Sequence, residues 1–173
     1  MKKELDLKDP LIEWRNISGR LQRSIRGLSE SDLELRGGSD GWSIRETVHH
    51  LVEANLIASN IIIAALARDG CDFDWTWVNP DKSWMSRMGY DKATVQPALK
   101  TLSFLSRHIS GLIANQPQAL GRSVRLNDAP GAKRYRMTIE KLLWQEVEHA
   151  NTHLEDIRDA RRKRGVRRGA EAT

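Results

Sequence analysis

A segment near the end of the chain, residues 138–157, carries apolar residues at alternating steps of three and four, the spacing of one side of an α-helix. One such series is Leu143, Val147, Ala150, Leu154 and Ile157. A second series runs beside it, begins apolar and ends in a carboxylate and two imidazoles: Ile139, Leu142, Glu146, His149 and His153. The segment therefore predicts a long helix that packs on a core and carries ionisable groups along its buried face.

Three other segments show the same periodicity, and two of them begin with clear helix caps. Asp9 precedes Pro10, a pair that suits the cap and the first turn of a helix. Ser43 and Glu46 have the spacing of a capping box. The four predicted helices cover residues 9–28, 43–68, 94–115 and 138–164. Four long helices without a strong strand signal predict an all-α fold, a four-helix bundle.

Two connections between these helices are long. Residues 71–92 form an irregular, aromatic connection between the second and third helices, with tryptophans at positions 75, 77 and 84. Long connections in compact domains often serve a function, and we expect this one to wall a pocket. Residues 116–137 join the third helix to the fourth, and residues 123–126 could form a short extended piece.

The positive charge of the chain lies at its C-terminal end. Residues 158–173 contain seven Lys and Arg and two acidic residues, a net charge of +5 that equals the net charge of the whole chain. We therefore assign residues 1–157, which carry no net charge, to the bundle, and residues 158–173 to a basic tail that is frayed or disordered. The tail lacks interleaved aromatic residues and any recognition motif, so nucleic acid is not an expected partner. A nucleic-acid arm at residues 158–168 is the alternative.

Length and cysteine content favour a single cytoplasmic domain. A chain of 173 residues can bury one core of its own. No run of 18 or more apolar residues occurs, so no membrane span is expected, and the N-terminus lacks the apolar stretch of a signal peptide. The single cysteine, Cys71, excludes an internal disulfide and fits a reducing compartment.

Histidines on two of the predicted helices form a candidate metal site. His149 and His153 are four residues apart, which places their Cβ atoms about 5–6 Å apart on one helix face. The second helix carries two apolar series, and His50 lies within one of them, whereas His49 lies about 100° away around the helix and is expected near solvent. Three imidazoles suit Zn²⁺ or Ni²⁺, with an open position for water or substrate. The alternative is that His149 and His153 are ordinary residues at the boundary of the core.

Two glutamates accompany these histidines, and each has more than one interpretation. Glu146 lies one turn before His149. It is a candidate metal ligand, an acceptor that orients an imidazole, or a general base, and we take it as the candidate catalytic residue. Glu46 lies one turn before His50 and invites the second interpretation, although a capping role is the simpler one.

Two segments resemble motifs of the DinB-like superfamily. Residues 42–51, Trp-Ser-Ile-Arg-Glu-Thr-Val-His-His-Leu, resemble its second-helix signature, in which a His-Leu pair follows the tryptophan by eight residues, and that count selects His50. Residues 149–154, His-Ala-Asn-Thr-His-Leu, resemble the last-helix motif of the same family. One departure is residues 154–157, Leu-Glu-Asp-Ile, where Gly-Gln-Ile is frequent.

The resemblance implies a four-helix bundle, often a homodimer, with a divalent metal ion held by His50, His149 and His153. Members resemble metal-dependent hydrolases or S-transferases that use a low-molecular-weight thiol as cosubstrate. The expected function is therefore a metal-dependent enzyme, a hydrolase or a thiol S-transferase, that acts on a small-molecule substrate. The alternative is a non-catalytic, stress-related bundle protein that binds a metal or a small molecule.

Overall fold

The computed structural model of the chain describes residues 9–39, 41–78, 80–127, 129–163 and 165. The α-helices within these ranges are α1 (Pro10–Arg15), α2 (Ile17–Ile25), α3 (Ile44–Ala67), α4 (Lys82–Arg87), α5 (Val95–Ala114) and α6 (Ile139–Lys163). The β-strands are β1 (Cys71–Asp74), β2 (Ser123–Asn127) and β3 (Tyr135–Thr138). Two short 3-10 turns lie at Asp32–Glu34 and Ala119–Gly121.

The predicted four-helix bundle is confirmed. The bundle has four sides, which we call legs: α1 and α2 together form the first leg, and α3, α5 and α6 form one leg each. Each leg packs against others in the bundle. Large apolar side chains from all four legs are buried in one core, among them Trp14, Leu51, Leu102 and Leu143. The short α4 lies in the connection between α3 and α5.

The helices begin at the caps that the sequence predicts. Asp9 accepts a hydrogen bond from the backbone amide of Leu11 at 2.8 Å. Ser43 and Glu46 form the reciprocal hydrogen bonds of a capping box at the start of α3. Asn16 separates α1 from α2 in the leg predicted as one helix, although its backbone stays in the right-handed helical region at φ −75° and ψ −12°.

A three-stranded sheet covers part of the bundle, and the sequence predicts only its middle strand, as the extended piece at residues 123–126. The order is β1–β2–β3, with β1 parallel and β3 antiparallel to β2. The connection predicted as irregular, residues 71–92, is therefore only partly so, since it begins with β1 and contains α4. β1 has four residues and pairs with β2, which follows α5 in the chain. No local sequence pattern therefore predicts β1.

The apolar character of α3 is explained by its place in the core. By length and composition alone this helix could cross a membrane, with a mean hydropathy of 1.6 over its most apolar window, but 61% of that window is buried inside the structure. It packs against both α5 and α6. Core helices of bundles pass the same test, so this is weak evidence for a membrane span.

The last helix ends at Lys163, close to its predicted end at about residue 164. Residues 158–163, which the sequence assigns to the basic tail, are thus part of α6. Arg161 is only 7% exposed, and its Nη1 donates a hydrogen bond to the backbone oxygen of Ser24 at 2.6 Å, near the end of α2, where carbonyl groups favour a cation. Residues 164 and 166–173 lie outside the described residues, and for them the tail stays a prediction.

Candidate metal centre

Three imidazoles from two neighbouring helices converge. His50 lies on α3, and His149 and His153 lie one turn apart on α6. The Nε2 atoms of His50 and His149 are 3.0 Å apart, and those of His153 and His149 are also 3.0 Å apart. The ligand atoms of all three residues lie within 4.8 Å of one another. The structure thus brings together the three histidines that the sequence singles out.

The hydrogen-bonding capacity of imidazole explains why this arrangement fits a metal ion. An imidazole has one in-plane position at Nε2, occupied either by a hydrogen or by a lone pair. His149 Nε2 therefore cannot form good hydrogen bonds to both His50 and His153, although both lie 3.0 Å away. A common ion suits all three lone pairs, because nitrogen ligands at about 2.0–2.1 Å from a tetrahedral ion are about 3.3 Å apart.

Burial keeps His50 in its neutral form. Its side chain is nearly inaccessible, with 6% of the residue exposed. Burial, followed by the nearby charges of His149 and His153 when these are protonated, lowers the pKa of His50 from 6.5 to about 3. The neutral imidazole is the form that binds a metal ion, so this environment keeps the lone pair available.

Trp42 packs on the cluster, a contact that the sequence does not predict. Its ring centroid lies 4.7 Å from that of His50 and 5.5 Å from that of His153, against which it stacks at 24°. Trp42 immediately precedes Ser43, the cap of α3. A large apolar residue before a capping box indicates packing against the start of the helix, but it does not identify the histidines as the partners.

His49, the neighbour that the sequence rejects as a ligand, faces a different partner. It stacks on Tyr90 with 5.1 Å between ring centroids and 14° between planes. Its Nε2 lies 3.2 Å from the backbone oxygen of Ala93, and burial lowers its pKa. His49 is thus partly buried rather than near solvent as the sequence suggests, and it lies outside the histidine cluster.

Glu46 has the capping role, the simpler of its two interpretations. Its carboxylate accepts a hydrogen bond from the backbone amide of Ser43 at 2.7 Å. The same oxygen forms an ion pair with Arg36 at 3.0 Å. These partners account for Glu46 at the start of α3, and it does not orient His50.

Glu146 lies at the edge of the cluster. Its Oε2 is 3.9 Å from Nδ1 of His149, which is beyond hydrogen-bond distance. The carboxylate does not belong to the set of ligand atoms that lie within 4.8 Å of one another. Oε2 is buried without a hydrogen-bond partner among the described residues. This geometry does not place Glu146 among the ligands, and it leaves a carboxylate oxygen able to take a proton or a hydrogen bond.

A cavity of about 730 Å³ adjoins the histidines. Apolar side chains that line it include Ile57 of α3, Trp75 and Val78, and the polar side chains include Glu146 and Lys82. Several lining residues, at positions 75, 78 and 80–82, belong to the connection between α3 and α5. The aromatic connection therefore walls the cavity, as the sequence predicts.

Glu53 of α3 forms a hydrogen bond with the connection that lines the cavity. Its carboxylate accepts a hydrogen bond from Nε1 of Trp84 at 3.0 Å. Burial, and next the charge of Glu53, raise the pKa of Tyr90, so the phenol stays protonated and can donate. The sequence does not single out Glu53; its position three residues after His50, on the same side of α3, is the signal that could have found it.

Fold and site together define a class of protein: a helical bundle in which two helices gather three histidines beside a cavity of small-molecule size. The chain belongs to the DinB superfamily, whose family model matches residues 14–157. The family resemblance indicated by the two sequence motifs is thereby confirmed.

Two known proteins are similar to this chain, one by sequence and one by structure. The Geobacillus kaustophilus (strain HTA426) protein "Putative metal-dependent hydrolase GK0616" is 22% identical over 160 residues, which are 88% of this chain and 85% of that protein. YfiT from Bacillus subtilis, described as a probable metal-dependent hydrolase with an unusual four-helix bundle topology, superposes with a TM-score of 0.77 and 19% identity. The superposition covers 95% of this chain and 94% of YfiT, and at this identity it establishes the fold.

Proposed function

We propose that His50, His149 and His153 bind a divalent metal ion, Zn²⁺ or Ni²⁺, and that the protein is a metal-dependent hydrolase of small molecules. The observation that carries this proposal is the convergence of three Nε2 atoms, with two separations of 3.0 Å that hydrogen bonds between imidazoles cannot both satisfy. Three neutral nitrogen ligands suit these ions and leave a coordination position open. The cavity beside the cluster gives a substrate access.

The proposed roles of the surrounding residues follow from their positions. A bound ion of this kind supplies Lewis acidity and makes a nucleophile available near neutral pH. Glu146 is the proposed general base, because its unpartnered Oε2 lies at the cavity wall beside His149. Trp42 shields the faces of His50 and His153 from water. The apolar wall at residues 57, 75 and 78 would bind the apolar part of a substrate.

Transfer of a thiol is the second reaction that this site would support. The names of the two relatives favour hydrolysis, whereas the family resemblance also includes S-transferases that use a low-molecular-weight thiol. In that case the thiol sulfur would attack the acceptor in place of water, the bond between the acceptor and its leaving group would break as the new bond to sulfur forms, and Glu146 would accept the thiol proton. The three histidines and Glu146 therefore serve both reactions. Assays on a panel of substrates distinguish hydrolysis from thiol transfer.

Elemental analysis of the purified protein tests the metal site. We expect the wild type to carry about one divalent ion per chain after metal is supplied, and His149→Ala to lose most of it, because a tetrahedral site with two protein ligands binds weakly. His108→Ala is the matched control, since it removes an exposed histidine from α5. A wild-type protein that takes up no divalent metal contradicts the proposal.

The activity is tested on the metal-loaded protein with a panel of esters, amides and thiol acceptors, the last with low-molecular-weight thiols. Turnover that is lost both on chelation and in His50→Ala supports the enzyme. Bound metal without turnover on the whole panel favours the alternative, a non-catalytic, stress-related bundle protein.

We also propose a homodimer, which the family resemblance implies. Sedimentation equilibrium measures it directly, with an expected mass twice the 19.7 kDa of one chain. A species with the mass of one chain at high micromolar concentration contradicts it.

A further inference from the structure

We propose that Asp156 is a positioning residue of the metal centre, which holds His153 in the tautomer and orientation that direct Nε2 toward the other two histidines. The inference rests on the proposed metal site, but it concerns a residue that none of the ligand or catalytic assignments includes. Three features of the structure support it: the contact of Asp156 with His153, the turn packed against Asp156, and the contrast with the other two imidazoles.

Asp156 contacts the imidazole on the side away from the cluster. Its Oδ2 lies 3.3 Å from Nδ1 of His153, while Nε2 of the same ring lies 3.0 Å from Nε2 of His149. A neutral imidazole carries its hydrogen on one nitrogen, and a carboxylate can only accept. The hydrogen therefore belongs on Nδ1 and the lone pair on Nε2, where a metal ligand needs it.

Burial strengthens this preference. The His153 side chain is 8% exposed and the Asp156 side chain 26% exposed. Water therefore has little access to Nδ1 of His153, and the Asp156 carboxylate is available to accept its hydrogen bond. A hydrogen bond to a charged acceptor in such surroundings is about twice as strong as one between neutral groups.

Two glycines, Gly37 and Gly38, lie in close contact with Asp156. A Cβ built at Gly37 would overlap the backbone oxygen of Asp156, and one built at Gly38 would overlap its carboxylate. Gly38 has a φ of +67°, in the left-handed region that favours glycine. Gly37 and Gly38 thus lie directly on α6, and their close approach limits the space around the Asp156 carboxylate.

The other two imidazoles have no comparable partner among the described residues. Nδ1 of His149 is 3.9 Å from the carboxylate of Glu146. Nδ1 of His50 is buried without a hydrogen-bond partner in the part of the chain that the structure describes. Within the described residues, Asp156 is therefore the acidic residue closest to the outer nitrogen of a candidate ligand. Such a partner fixes the ring and raises the basicity of the ligand nitrogen.

The contribution of Asp156 is measured as a change in metal affinity. Zn²⁺ and Co²⁺ are titrated into the wild type, Asp156→Ala and Asp156→Asn in competition with a chromogenic chelator. We expect Asp156→Ala to bind about 10–100-fold more weakly, the usual effect of removing such a partner. Asp156→Asn should lose less, because its amide oxygen can still accept from Nδ1. A shift of the Co²⁺ absorption bands in Asp156→Ala is expected, since the orientation of one ligand changes.

The control separates orientation from charge. Asp159→Asn removes a negative charge from the same helix, one turn further on, where the carboxylate pairs with Arg162. A partly exposed charge at that distance should change the affinity by less than about twofold. A loss below tenfold in Asp156→Ala, or an equal loss in Asp159→Asn, overturns the proposal.

A second measurement needs neither a variant nor bound metal. The ¹⁵N chemical shifts of His153 in the metal-free wild type report which ring nitrogen carries the hydrogen, and we expect Nδ1. Hydrogen on Nε2 overturns the proposal. If the wild type binds no divalent metal, the proposed function fails, but the tautomer of His153 still decides whether Asp156 positions it.

Discussion

The metal-free protein should lose stability as the pH falls below about 6.5, and His50 should account for a large part of the loss. Its pKa is lowered from 6.5 to about 3 in the fold. Between these two pH values the unfolded chain binds a proton at His50 that the folded chain does not bind. The free energy of unfolding therefore rises with pH across this window, and falls as the pH is lowered through it.

The size of the effect follows from the same shift. One pKa unit corresponds to about 1.4 kcal/mol. At about pH 5 the contribution of His50 lowers the free energy of unfolding by roughly 2 kcal/mol relative to about pH 7.5, and by roughly 4 kcal/mol close to pH 3. Since small domains are stable by only about 5–15 kcal/mol, the difference at pH 5 is readily measured.

Urea unfolding of chelator-treated protein at about pH 7.5 and about pH 5 provides the assay. His50→Gln replaces the imidazole by an amide that does not titrate, so the loss between the two pH values should shrink by roughly 2 kcal/mol. His108→Gln, which changes an exposed histidine on α5, is the control and should keep the wild-type difference. An equal pH difference in the wild type and His50→Gln would refute the reasoning.

Three further predictions concern two carboxylates and one helix cap. Glu146→Gln should retain metal by elemental analysis but lower kcat by about 100-fold or more, the contribution of a positioned general base; an unchanged kcat removes Glu146 from the mechanism. Glu53→Ala leaves Nε1 of Trp84 without its acceptor, so residues 75–90 should be cleaved faster in limited proteolysis, and wild-type protection would contradict this. Ser43→Ala should lower the free energy of unfolding in urea by about 1 kcal/mol, because the hydrogen bond that the backbone amide of Glu46 donates to the Ser43 hydroxyl oxygen is lost; an unchanged midpoint would argue against the cap.

The helical segments of the bundle and the selection of His50 over His49 follow from short-range patterns. A capping box involves residues three positions apart, and helical periodicity determines which side of a helix faces the core. His50 lies within an apolar series of α3 and is buried, whereas His49, one residue earlier, faces Tyr90. These predictions hold because each depends on residues within a few positions of one another.

The sheet and the fastening of the cavity wall depend on residues that are distant in the chain. β1 is stabilised by β2, which follows α5, so its four residues carry no sufficient signal of their own. Glu53 receives its hydrogen bond from Trp84, in a connection whose course the periodicity of α3 does not predict. Such contacts are set by how the elements pack, which a single-sequence pattern does not encode.

The carboxylates around the histidines show most clearly which features local sequence predicts and which depend on packing between elements. Helical spacing places Glu46 one turn before His50 and Glu146 one turn before His149, and it places Asp156 one turn after His153 just as well. Packing assigns them different partners: Glu46 bonds to the start of α3 and to Arg36, while Asp156 contacts His153.

Local sequence is enough to define four helices, their buried faces and three histidines directed toward one core. The convergence of the Nε2 atoms to 3.0 Å, the cavity beside them and the choice among the carboxylates come from packing between helices. The physical reason is one of scale. A helix advances about 100° per residue, so sequence places a side chain on a face. Hydrogen bonds and metal ligation require distances accurate to a few tenths of an ångström, which only the packed tertiary structure supplies.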